Sequence, residues 1–134
     1  MIVVDASAMV AALIDSSARG ELARAAMTTD VAWIAPAHMP LEVLRTVRRH
    51  IVSGSLTDAQ AVLVVDTLRS VEIRYIGMSD DLLAAVWSMR HKISAYDAAY
   101  VALAVIHSAA LLTADIRLAK AAQQTIGDVD VRTL

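Results

Sequence analysis

The chain has 134 residues, 57% of them hydrophobic, and no cysteine. That size and apolar content predict one domain, residues 1–134, with a full core, and exclude disorder; the lack of cysteine excludes a disulfide scaffold, a zinc–thiolate site and a thiol nucleophile. The count of 12 Lys and Arg against 14 Asp and Glu gives a net charge of −2, which argues against bulk-charge binding of nucleic acid but leaves a local basic stripe open. The acids are lopsided, 11 Asp to 3 Glu, and Asp favours caps, turns and metal sites over helix interiors.

The start, MIVVD, lacks the basic opening of a signal peptide and meets a charge at Asp5. The longest uncharged stretch, Ala98 to Ala114, has 17 residues. A spanning helix wants roughly 20 strongly apolar ones. With no cysteine to protect, a soluble cytoplasmic protein is the expectation.

In chain order, Ile2 to Val4 predict a buried strand and Ala6 to Ile14 a helix. Ser16 or Ser17 caps a second helix through about Met27. Val31 to Ala35 predict the second strand, ended by Pro36; Pro40 suits the first turn of a helix that Gly54 stops. Thr57 opens another helix, and Val71 to Ile76 alternate like a strand. Ser79, with Asp80 and Asp81 behind it, starts a helix reaching Arg90. A helix runs from about Asp97 to His107, Ala110 to Thr113 form a strand, Asp115 opens a helix to about Ile126, and Val129 to Arg132 close the list as a strand. Short, mostly apolar strands alternating with helices predict an α/β fold whose parallel sheet is covered on both faces.

The acids fall at informative places. Open parallel sheets bind ligands outside the carboxyl ends of their strands. Asp5 follows the first strand directly and Asp115 follows ALLTA. Asp97 starts its helix in SAYDAAYVALA, and Glu42 lies in the first turn of PLEVLRTVRR. Each alone has a simple structural use: Asp5 and Asp115 suit helix caps, Asp97 a first-turn charge, Glu42 a pair with Arg45. Together they suggest convergence. Two like charges roughly 4 Å apart repel by about 4 kcal/mol at an effective dielectric near 20, so protonation or a cation must intervene. Oxygen donors without His or Cys select Mg²⁺ or Mn²⁺, ions that activate water and neutralise phosphate oxygens in phosphodiester hydrolysis. Ser7 and Thr113, each two residues from a strand-end Asp, can orient ligands or waters, or serve ordinary helix-start and strand-end hydrogen bonding.

These segments carry a family resemblance. IVVDASAMVAAL, APAHMPLEVLRTVRR and SAYDAAYVALAVIHSAALLTADIRLAKAA, in this order and across essentially the whole chain, resemble PIN-domain ribonucleases of the VapC type, the toxin half of bacterial VapBC toxin–antitoxin pairs. The resemblance implies a three-layer α/β/α fold with a central, mostly parallel sheet of about five strands. It implies Mg²⁺- or Mn²⁺-dependent endoribonuclease activity, and a homodimer inhibited by a VapB-type antitoxin. The family's metal-binding acids map onto Asp5, Glu42, Asp97 and Asp115, and its small hydroxyl residues onto Ser7 and Thr113. The additional acid that some relatives carry near the last one is absent, since Ile116 and Arg117 follow Asp115. That leaves one or two metal ions open. Setting the four acids aside leaves 12 basic residues against 10 acidic ones.

At about 100° per residue Glu42, Arg45 and Arg49 share a helix face opposite Val43, Leu44, Val47 and Ile51. This face is either an RNA-backbone contact or a solvated surface. Arg90, His91 and Lys92 read as a solvated helix end, with Arg117 and Lys120 facing solvent. The four His lack metal-ligand spacing, His107 reads as structural, Trp33 and Trp87 read as packing or interface residues, and Tyr96 and Tyr100 as packing ones. A phospho-acceptor module would want paired acids after the first strand and a late Lys, and Val4 and the segment 129–134 supply neither. A D-x-D phosphatase is disfavoured by Ser7. A catalytically inactive PIN-like module that binds RNA or protein is the remaining alternative.

Overall fold

A computed structural model describes residues 1–134. Five strands, β1 Ile2–Val4, β2 Trp33–Pro36, β3 Arg74–Ile76, β4 Ala110–Thr113 and β5 Val131–Thr133, alternate with seven helices. The helices are α1 Ala6–Ile14, α2 Ala18–Thr28, α3 Met39–Val52, α4 Asp58–Ser70, α5 Asp80–Ser88, α6 Ala95–Ile106 and α7 Ile116–Thr125. The strands form one sheet in the order β3-β2-β1-β4-β5, and every neighbouring pair is parallel. This is the expected class, with the sheet parallel throughout rather than mostly so.

Strand order positions the site. The chain steps outward from β1 to β2 to β3, then returns across the sheet to place β4 on the other side of β1. The connections leaving β1 and β4 therefore part in opposite directions, opening a crevice at their carboxyl ends where open α/β sheets hold ligands. Residues 5 and 115 lie at those ends.

Local chemistry accounts for the helix starts. Ser17, Ser79 and Ser94 each accept a hydrogen bond from a first-turn backbone N–H, and Thr57 forms a reciprocal capping box with Gln60. Pro40 sits in the first turn of α3, where its missing N–H costs nothing. Gly54, at φ +80°, follows the end of α3. At the end of α6 the same left-handed turn falls on Ser108, φ +49°, which swings the chain into β4. His107 is the C-cap of α6, its backbone N–H donating to the Leu103 and Val105 carbonyls, in line with a structural role.

The core is built from small aliphatic side chains. β1 and β4 are buried along their whole length. α6 buries seven successive residues, Ala98 to Ala104, against β1, β2 and β4, with α5 beside it. α1 packs against α2, α3 and α4 in a second helical group. The α1–α2 corner is tight: a Cβ on Gly20 would stand 1.8 Å from the Asp15 carbonyl oxygen. No helix is long and apolar enough to cross a membrane.

The expected strands differ at the edges. β2 begins at Trp33 rather than Val31: the Asp30 carboxylate takes the Ala32 N–H, while the Ala32 carbonyl still accepts from Ile2 of β1. It includes Pro36, which had been expected to end it. β3 keeps only the last three residues of the expected 71–76, since a tight Ile73 N–H to Val71 carbonyl bond turns the chain first. β5 is shifted to Val131–Thr133. β3 and β5 are edge strands with exposed arginines rather than covered apolar strands, which suits an edge that must not pair with another chain.

Candidate active site

Asp5, Glu42, Asp97 and Asp115 line one cavity of about 650 Å³ at the crevice between β1 and β4. Four elements deliver them: the end of β1, the first turn of α3, the first turn of α6 and the N-cap of α7. Ser7 also lines the cavity, while Thr113 lies fully buried beneath it.

Asp5 is 5% exposed. It occupies the N-cap position of α1, yet its side chain makes no capping hydrogen bond. Its Oδ2 instead accepts from two hydroxyls, that of Ser7 and that of Thr113 at 2.7 Å. The hydroxyls are themselves anchored. Ser7 Oγ accepts from the Ala114 N–H at 2.9 Å, and Thr113 Oγ1 from the Asp115 N–H at 3.0 Å. Burial holds the Asp5 carboxyl above its usual range, against the two hydroxyl hydrogen bonds that favour the charged form; nearby Glu42 raises it further.

Glu42 does not pair with Arg45. Its Oε2 accepts from the buried Tyr100 hydroxyl and stands 3.7 Å from His38 Nε2. Asp115 performs the cap that was one of its two expected uses: its Oδ1 accepts from the N–H groups of Arg117 at 2.8 Å and Leu118 at 3.3 Å. Its Oδ2 lies 3.6 Å from the exposed Arg117 guanidinium. Asp97 is half-buried, and its backbone N–H is capped by Ser94.

Arg45 and Arg49 line the same cavity, as the helical spacing suggested, and Leu44 on the opposite side of α3 is partly exposed rather than core. Sequence spacing missed four further groups. Arg19 and His50 join Arg117 on the rim, and Tyr100 and His38 meet Glu42 from below. Lys92, expected only at a solvated helix end, lines an adjoining cleft of about 300 Å³ that shares Asp97 and Asp115. Trp33 is a packing residue, its indole N–H donating to the Met27 and Asp30 carbonyls. Trp87 is 65% exposed with the Arg90 guanidinium over its ring, away from the cavity.

The donor set is entirely oxygen, which matches a hard divalent ion. A buried carboxylate that resists ionisation, Asp5, is the group an added cation would favour most. No three acidic or histidine side chains stand close enough to hold one ion as placed. The fit is therefore one of donor chemistry and shared cavity.

Residues 2–124 match the PIN domain family. Ribonuclease VapC3 of Mycobacterium tuberculosis is 42% identical over 120 residues, covering 90% of this chain and 86% of its own length. Ribonuclease VapC1 of the same organism is 35% identical over 119 residues, 89% of each chain. Among solved structures, Mycobacterium tuberculosis VapC20, described as a sarcin–ricin loop cleaving toxin, superposes with a TM-score of 0.70 at 19% identity over 90% of this chain and 95% of its own. VapBC2 from Rickettsia felis, bound to a DNA fragment from its promoter, gives 0.68 at 17% identity over 100% and 99%. At such identity the structures speak for the fold alone, whereas the family match and the closer relatives place the sequence. The chain is a PIN-domain protein of the VapC family.

Proposed function

We propose that residues 1–134 act as one domain, a divalent-metal-dependent endoribonuclease that hydrolyses RNA phosphodiester bonds and so inhibits translation and growth. It would be the toxin half of a type II toxin–antitoxin pair. The observation that carries this reading is the gathering of four acids from four separate elements into one cavity rimmed by arginines.

Asp5, Glu42, Asp97 and Asp115 would hold Mg²⁺ or Mn²⁺. Such an ion, when bound, supplies an activated water and neutralises phosphate and leaving oxygens. The chain's own residues do the rest. Ser7 and Thr113 hold one oxygen of Asp5, to whose other oxygen no side chain donates. Arg45 and Arg49 face the backbone phosphates of the substrate, and Arg19 and Arg117 extend that contact along the rim. Cleavage would leave a 5′-phosphate and a 3′-hydroxyl. The relatives named VapC and the VapBC complex among the fold neighbours support a small VapB-type antitoxin as partner; a homodimer as the working form rests on the family resemblance alone.

Asp97→Asn keeps the side chain's shape and removes its charge. The folded variant should fail to cut RNA in Mg²⁺ and fail to arrest growth, as wild type should in EDTA. Full-rate cleavage by this variant would sink the reading and leave the chain as an RNA- or protein-binding module. Undiminished cleavage with an excess of the adjacent gene's product would remove the antitoxin.

A further inference from the structure

Seven successive residues of α6 are buried, and Tyr100 is the only polar one among them. Its side chain is fully enclosed. A core position of this size is ordinarily filled by a hydrocarbon ring, and a buried phenol persists only where its hydroxyl finds a partner. The partner here is the carboxylate of Glu42, 58 residues away in sequence and in the wall of the cavity. A second ring closes the same corner. His38 stands edge-on to Tyr100, with centroids 5.4 Å apart, and to Tyr96 at 5.2 Å. Its buried Nε2 has no hydrogen-bond partner and lies 3.7 Å from the same Glu42 oxygen that Tyr100 holds.

We propose that Tyr100 is a positioning residue for Glu42: it pins Oε2, with His38 as the side wall, so that Oε1 is presented to the cavity in one fixed geometry. This rests on the metal-dependent reading above and names a residue that acts through a ligand rather than as one. Glutamate has three rotatable bonds and loses much freedom when ordered. Fixing one oxygen beforehand removes that cost from the binding step, as groups behind a metal's direct ligands commonly do. Asp5 is held in the same manner, by two hydroxyls on one oxygen.

The test is a double-mutant cycle on the full chain with Tyr100→Phe, Glu42→Ala and both. Mn²⁺ alone is the probe, its free fraction read by electron paramagnetic resonance. Tyr100→Phe should weaken Mn²⁺ binding by about 10- to 100-fold. In the Glu42→Ala background the same change should alter affinity by less than about twofold. Unchanged affinity in Tyr100→Phe overturns the proposal. So does an equal loss in both backgrounds, because Tyr100 would then act through core packing. A second arm, thermal melting in EDTA, needs no metal. Glu42→Ala should lower Tm by leaving a buried hydroxyl without an acceptor, and adding Tyr100→Phe should restore part of it. Additive Tm changes overturn the contact itself. Absence of Mn²⁺ binding by wild type would sink the metal-dependent reading, while the EDTA arm would still decide whether Tyr100 holds Glu42.

Discussion

Asp5 and Asp115 occupy the same local setting: each follows a buried parallel strand and precedes a helix, and each lines the cavity. They do different work. Asp115 spends one oxygen on the backbone of α7 and keeps the other near solvent and Arg117. The Asp5 side chain makes no capping hydrogen bond to α1 and sits 5% exposed under two hydroxyls. One aspartate stabilises its fold as any N-cap does, while the other is held in place against its own desolvation. The difference comes from β4. Thr113 reaches under Asp5 from a neighbouring strand, whereas nothing buried reaches Asp115 from β5.

The largest expected effect treats the two alike. Asp5→Asn and Asp115→Asn should each reduce Mg²⁺-dependent RNA cleavage by about 100-fold, the usual scale for losing one preorganised charge in a reacting site. Single-turnover cleavage of a labelled RNA would measure it, and a variant with full activity would remove that residue from the site. Thr113→Val comes next. It takes a donor from Asp5 and the acceptor from the Asp115 N–H at once, and should cost about 1–3 kcal/mol in chemical denaturation. Stability then separates the two aspartates. Asp115→Ala should lose about 1 kcal/mol with the cap and Asp115→Asn should recover it. Asp5→Asn, in EDTA, should raise Tm at neutral pH. The sign follows from the raised folded-state carboxyl of Asp5. Its contribution to stability is fully present below the ordinary carboxylate range and is lost as pH rises through the folded value. The advantage of Asn should therefore vanish in acid, and a Tm gain that persists there would contradict buried charge as its cause. The smallest change is Ser108→Gly, which relieves a left-handed residue between α6 and β4 and should add about 0.5 kcal/mol by calorimetry.

The sheet, the helix caps and the four acids were legible because each leaves a local trace: an apolar run, a Ser or Thr before a periodic segment, an Asp at a strand end. Asp5 and Asp115 carry the same trace, so nothing local could say which would cap. Tyr100 reads as an ordinary packing aromatic because its meeting with Glu42 depends on how α6 lies against α3, a contact across 58 residues with no periodicity to betray it, whereas His38 stands four residues before Glu42, a helical spacing that could have found it. The edge strands misled for a related reason. Val71 and Ile73 are apolar enough for a strand, yet a tight turn between them starts the pairing only at Arg74.

The pairing of β1 with β4 also sets when the cavity can exist. Asp5 and the Thr113 hydroxyl beneath it are 108 residues apart, and the central strand gains its second neighbour only from that late segment. Chains are synthesised from the amino end and long-range strand pairings form last. A growing chain therefore carries its first two acids through most of its synthesis with Thr113 and Asp115 not yet made. The cavity is completed only once the fourth strand has left the ribosome, so that the site is among the last parts of the fold to form.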